Sequence, residues 1–162
     1  MTASLSSVPA VLDALERAPG IIVPMVREVA PEVLTRRPAP GRWSVHEHAC
    51  HLAHVHGLFF ERLDLMLTAS DPVIAPYQPA DTDADDLLLG MDLDASLDRF
   101  VHDRSRLVSR LRELPADAWA RTARHAEYSH YSLFILFRHA ALHDFLHAYR
   151  IEELLLRPDW SA

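Results

Sequence analysis

Between Asp92 and Leu114 the apolar residues Leu93, Leu97, Phe100, Leu107, Leu111 and Leu114 recur at steps of three, four and seven residues. A helix of 3.6 residues per turn gathers such positions on one side, whereas a strand needs strict alternation. One apolar stripe must be buried against other elements, so the segment points to packed helices. Arg104 falls in phase with the stripe. A guanidinium there can serve as a buried anion anchor, but a stem that carries its charge out to solvent is the expectation.

Three further segments complete a helical set. A first helical region is expected from about Val8 to Ala30, interrupted near Pro19 and Gly20, because proline removes a backbone donor and clashes with the preceding turn. Pro38, Pro40 and Gly41 make 36–42 a loop. Ser44 and Glu47 then have the Ser-x-x-Glu spacing of a capping box, opening a second helix that should reach Thr68. A long connection without periodicity follows from Ala69 to Leu89, rich in Pro and Asp. Pro115 stops the third helix, 116–131 reads as irregular, and Ser132 opens a fourth helix ending near Leu156. The expectation is an all-α fold without strands: an antiparallel four-helix bundle with long loops between helices, occupying 1–162 as one domain.

The formal charge of -7 and the scatter of Arg among Asp and Glu leave no basic stripe to neutralise a phosphate backbone, so no nucleic-acid partner is expected. No apolar run is long enough to span a bilayer, and the first residues lack a basic stretch followed by an apolar one. A cytoplasmic protein without a membrane partner is expected. The one cysteine, Cys50, can form neither an internal disulfide nor a cysteine-rich zinc site.

The 11 histidines are the anomaly. Five fall between His46 and His56, and three more stand at His139, His143 and His147. Helix residues four apart lie one turn above each other, so His143 and His147 can present two imidazoles to one ion. At about 100° per residue they share the stripe of Leu136, Ala140, Ile151 and Leu154 and face the interior. On the second helix Val45, His48, Leu52, Val55, Phe59 and Met66 form the core side, with His51 on its edge.

Spacing alone leaves two choices open. His139 can replace His147 or support the ligands from behind, and His48 competes with His51. His46, His54 and His56 point elsewhere and read as surface or rim residues. Cys50 reads as an inert small side chain off the main core arc. Asp144 makes the motif His-Asp-x-x-His rather than the His-Glu-x-x-His of zinc proteases, so that general base is lacking.

Gly41-Arg42-Trp43-Ser44-Val45, then His51-Leu52, and later His143-Asp144-Phe145-Leu146-His147 followed by Arg150-Ile151, resemble in order and spacing the DinB/YfiT-like superfamily of metal-binding four-helix bundles. The resemblance implies that His51, His143 and His147 bind one divalent metal ion; imidazole ligands accept Zn, Ni, Fe or Cu, and Zn or Ni is the expectation. It also implies that Trp43 and Ser44 pack and cap the helix carrying His51. Three imidazoles would leave at least one coordination position open for water or substrate.

Members of that superfamily that are enzymes resemble S-transferases using low-molecular-weight thiols, and others are labelled hydrolases. The leading expectation is therefore a metal-dependent S-transferase with such a thiol as co-substrate and a small-molecule substrate. A metal-dependent hydrolase is the alternative, with His48, His139 or Tyr131 as proton shuttle. A third expectation is a non-enzymatic, stress-related dimer that binds metal or ligand. It rests on Phe134, Phe137, Leu142, Phe145 and Tyr149, which spread apolar surface beyond the core arc of the fourth helix and should meet a second copy. No residue is assigned a catalytic role.

Overall fold

In the computed structural model, residues 7–76 and 86–157 are described. Helix α1, Val8–Arg27, begins with proline in its first turn and then passes through Pro19 and Pro24 unbroken. The interruption expected near Pro19 and Gly20 does not occur, because another helix fills the gap. Pro19 has no amide to offer the Leu15 carbonyl, and Arg104 Nη1 donates to that oxygen instead, at 3.0 Å. A short helix α2, Pro31–Leu34, leads into a turn where Gly41 has φ 71°, a conformation that glycine adopts without steric cost.

Helix α3, Val45–His54, opens on the expected capping box. Glu47 N donates to Ser44 Oγ at 3.2 Å and Ser44 N donates to Glu47 Oε2 at 2.8 Å. The single helix expected to Thr68 is instead two, α3 and α4, His56–Thr68, meeting at Val55. At this joint His56 Nδ1 donates to Leu52 O at 2.8 Å. Helix α5, Leu93–Arg112, is capped by Asp92, and α6, Leu133–Leu155, by Ser132, both within a residue or two of the expected limits.

The expectation of no strands is corrected by a small sheet formed by β1, Val73–Ile74, β2, Thr122–His125, and β3, Tyr131–Ser132. β1 runs parallel to β2 with Val73 opposite Arg124, and β2 runs antiparallel to β3 with Ala123 opposite Tyr131. Strands of two to four residues are too short for a period of two to register. A 3-10 turn, Ala116–Ala120, precedes β2. Between them Arg121 donates to Met66 O at 2.7 Å and Ala69 O at 3.1 Å, satisfying carbonyls at the end of α4. Residues 77–85 of the expected long connection lie outside the described residues.

Two clusters divide the core and give the helix directions. Val11 and Leu15 at the start of α1 pack with α4, the end of α5 and the start of α6. Ile22 and Val26 at the end of α1 pack with α3, the start of α5 and the end of α6. Thus α1 and α6 run one way and α3–α4 and α5 the other, and the chain leaves α4 at one end of the bundle and enters α5 at the other. Helices α1 and α3 each pack against both α5 and α6, which face each other across the bundle.

Arg104 on α5 crosses that diagonal. It is 1% exposed, so the expected route to solvent is wrong. Nη1 and Nη2 donate to both carboxylate oxygens of Asp144 on α6, and Nε donates to His56 Nε2 at 3.1 Å. With Leu15 O included, acceptors on α1, α4 and α6 meet one guanidinium. This multiple pairing is the condition under which a buried charge is tolerated.

The surface assignment of His46 and His56 is likewise corrected, since both are buried. His46 Nε2 donates to Leu88 O at 3.1 Å, while His56 links Leu52 to Arg104. His54 is exposed as expected. Cys50 is fully buried rather than off the core, and burial pushes its thiol pKa up, which keeps it inert. Phe134 and Phe137 are buried in the first core cluster, whereas Leu142, Phe145 and Tyr149 are exposed. No described helix is long and apolar enough to cross a membrane.

Candidate metal centre

Helix α3 brings His51, and α6 brings His143 and His147, to one point between the helices. One ring nitrogen from each lies within 4.8 Å of the others. His51 Nε2 is 3.0 Å from His143 Nε2, which is 3.1 Å from His147 Nε2. Trp43 covers this cluster, with its ring 4.8 Å from that of His51 and stacked on His147 at 5.9 Å and 17°. Phe59 closes another side, edge-on to His143 at 6.4 Å.

Burial dictates the charge state. It pushes His51 down to about 3, with the neighbouring His143 and His48 adding to the shift. Burial also lowers His143 and His147, so all three rings are neutral near pH 7, the form that ligates metal. Helix α3 is anchored by Glu47, which accepts from Arg37 Nε at 2.9 Å as well as from Ser44. Burial raises the Glu47 pKa, but the Arg37 and Ser44 hydrogen bonds outweigh it and hold the carboxyl below its ordinary range.

The donor set fits a divalent cation. A neutral imidazole nitrogen carries either one hydrogen or one lone pair. His143 Nε2 therefore cannot complete full hydrogen bonds with both His51 and His147, and its Nδ1 is buried without a partner among the described residues. Three lone pairs aimed at one cation remove the conflict. A tetrahedral ion with metal–nitrogen bonds of about 2.0–2.1 Å sets its ligand nitrogens roughly 3.3 Å apart, close to the separations seen here.

His48 and His139, the two competitors, stand outside this trio. His48 Nδ1 is 2.8 Å from His147 Nδ1. If His147 Nε2 keeps its lone pair, its Nδ1 donates to His48, a contact that fixes both tautomers and the ring orientation. Burial pushes His48 down to about 4, so it too is neutral. His139 lies one turn before His143, against Tyr128 at 5.6 Å and Tyr131 at 5.9 Å. Spacing identified both residues but not these positions, which depend on how α3 meets α6.

Two recesses flank the trio. One, of about 460 Å³, is lined by His143 and His139, by apolar side chains such as Phe59 and Leu136, and by Tyr128 and Tyr131. The other is a wider groove lined by Trp43, His48, Arg42 and Arg150. The narrower cavity is the one that reaches a member of the trio. Asp144, adjacent to His143, points away to Arg104 and offers no base there.

A family model described as the DinB superfamily matches residues 14–151. The chain is 29% identical over 150 residues to an Oceanobacillus iheyensis protein named "Putative metal-dependent hydrolase", covering 92% of this chain and 86% of that one. It also superposes, with a TM-score of 0.85 and 25% identity, on YfiT from Bacillus subtilis, described as "a probable metal-dependent hydrolase with an unusual four-helix bundle topology". That match covers 99% of this chain and 92% of YfiT. With the family model spanning most of its length and the bundle superposing on YfiT, the chain belongs to the DinB superfamily.

Proposed function

We propose that this chain is a divalent-metal-dependent enzyme that transfers a low-molecular-weight thiol to a small electrophile, with His51, His143 and His147 as the metal ligands. The observation that carries the reading is the convergence of three neutral imidazole nitrogens beside a cavity of about 460 Å³, a size suited to a small molecule. Bound there, a Zn or Ni ion would lower the pKa of a thiol or water on its open side and polarise a carbonyl.

The chain's own residues supply the rest. His48 holds His147 from behind, Trp43 and Phe59 exclude water, and the cavity wall confines the electrophile. Glu47 and Asp144, the carboxylates placed among these histidines, are engaged by Arg37 and Arg104. That favours a reaction needing little proton delivery. A thiolate that displaces a stable anion meets this condition, whereas an ester or amide leaving group needs a proton.

Hydrolysis is the second reading, favoured by His139. Burial keeps this imidazole below its ordinary pKa on the same cavity wall as His143, where it can accept and return a proton. The descriptions of both relatives, as a "putative" and a "probable" metal-dependent hydrolase, point the same way.

Zinc- or nickel-loaded protein would be assayed with a panel of thiols against an aryl halide, and separately with nitrophenyl esters. The proposal expects thiol-dependent conjugation that is lost in His143→Ala and kept in His139→Ala. Thiol-independent ester cleavage that falls in both variants supports hydrolysis instead. Conjugation undiminished in His143→Ala rejects the proposal.

A further inference from the structure

The cavity beside His143 carries features that metal binding does not use. Its far wall comes from the small sheet and the turn between β2 and β3. There Tyr128 and Tyr131 lie nearly parallel, 11° apart with centroids 6.0 Å from each other. His125 contacts both, at 4.6 Å and 4.8 Å. This is a flat aromatic surface facing apolar side chains of α4 and α6, a setting that selects a planar apolar body.

Arg62 of α4 lines the same cavity and is partly buried. Its Nη2 donates to Ala75 O at 2.7 Å, and among the described residues it forms no ion pair. By contrast, Arg37 and Arg104 are matched to carboxylates and Arg121 to two carbonyls. Arg62 retains donors in a fork geometry suited to a carboxylate. Arg62 shares the cavity lining with Tyr128 and Tyr131, and its charge opposes the rise that burial causes in the Tyr131 pKa. Glu127, exposed at the cavity rim, is the one carboxylate among its described lining residues.

Resting on the reading of this cavity as the substrate side of the histidine trio, we propose that it binds a planar anionic small molecule, an aryl carboxylate in chemical class. The ring lies against Tyr128 and Tyr131 and the carboxylate is held by Arg62, which leaves the remainder of the molecule in the space that His143 lines. Arg62 is thus the specificity-determining residue for the electrophile, eleven residues after the ligand His51.

Calorimetric titration of 2-naphthoate and of its uncharged partner 2-naphthylmethanol tests this in zinc-loaded protein. The wild type should prefer naphthoate by about tenfold, the factor expected of one charge-assisted hydrogen-bonded pair. Arg62→Gln should erase the preference and leave alcohol binding unchanged. Tyr128→Leu, at a half-exposed position, should weaken both ligands by a similar factor, and Glu127→Gln should tighten naphthoate alone. A preference that survives Arg62→Gln but disappears in metal-free protein would put the carboxylate on the ion and overturn the assignment. Binding of neither ligand to metal-loaded protein also overturns it. Metal content measured on the same samples separates the two readings. Arg62-dependent binding by protein that takes up no metal would uphold the cavity proposal and reject the metal centre.

Discussion

Arg104 and Asp144 provide an asymmetric test of the bundle's interior. Replacing Asp144 with Leu leaves a buried guanidinium that still has His56 Nε2 and Leu15 O as acceptors. Replacing Arg104 with Met leaves a buried carboxylate and removes the donor from both of those acceptors. Breaking a buried pair by deleting one partner costs about 3–5 kcal/mol. Each additional buried acceptor left unsatisfied costs about 1–3 kcal/mol more. Asp144→Leu should therefore lose about 3–5 kcal/mol, and Arg104→Met should lose more than that. Against a total stability of roughly 5–15 kcal/mol, the second change brings the domain close to unfolding. The double variant should recover part of the larger loss, because an apolar pair leaves no unpaired charge. Urea unfolding of metal-free protein, with slopes compared to exclude a change in the unfolded state, measures all three. The reasoning is refuted if Arg104→Met is no more destabilising than Asp144→Leu, or if either costs less than about 1 kcal/mol.

Two other predictions concern the histidines. His48→Phe keeps a ring against Trp43 but deletes the acceptor for His147 Nδ1, and should weaken zinc affinity about 10- to 100-fold in a chelator competition without abolishing binding. Unchanged affinity would remove His48 from the site. The metal-free protein should lose stability as pH falls from about 6.5 toward 4. Burial lowers His48 and His56 to about 4 and His51 to about 3, so the unfolded chain takes up protons in this window that the folded chain refuses. Each contributes a slope of up to about 1.4 kcal/mol per pH unit, and above pH 6.5 the effect vanishes. Equal urea midpoints at pH 7 and pH 5 would contradict these burial effects.

Helix α5 was legible because its stripe is long and its ends are marked by Asp92 and Pro115, and α3 because Ser44 and Glu47 encode a cap. The strands were not, since their pairing is set by partners distant in sequence rather than by alternation. Arg104 shows where periodicity stops: phase placed it on the buried stripe, but whether acceptors waited there depended on α1 and α6. A usable signal existed in Asp144, four residues after Ala140 and seven before Ile151, which puts an opposite charge in phase on the fourth stripe. Pro19 misled for the same reason, because its missing hydrogen bond is replaced from α5. Spacing put His139, His143 and His147 on one stripe of α6, while which of them gather, and the positions of His48 and His51, depended on the packing of α3 against α6.

Metal content per chain, determined on protein purified without a nickel column, tests the central claim most directly. About one divalent ion per chain is predicted for the wild type and for His139→Ala, with none retained by His51→Ala or His143→Ala. Absence of metal from the wild type after reconstitution with zinc at neutral pH, or full occupancy in the His51→Ala and His143→Ala variants, would contradict the account.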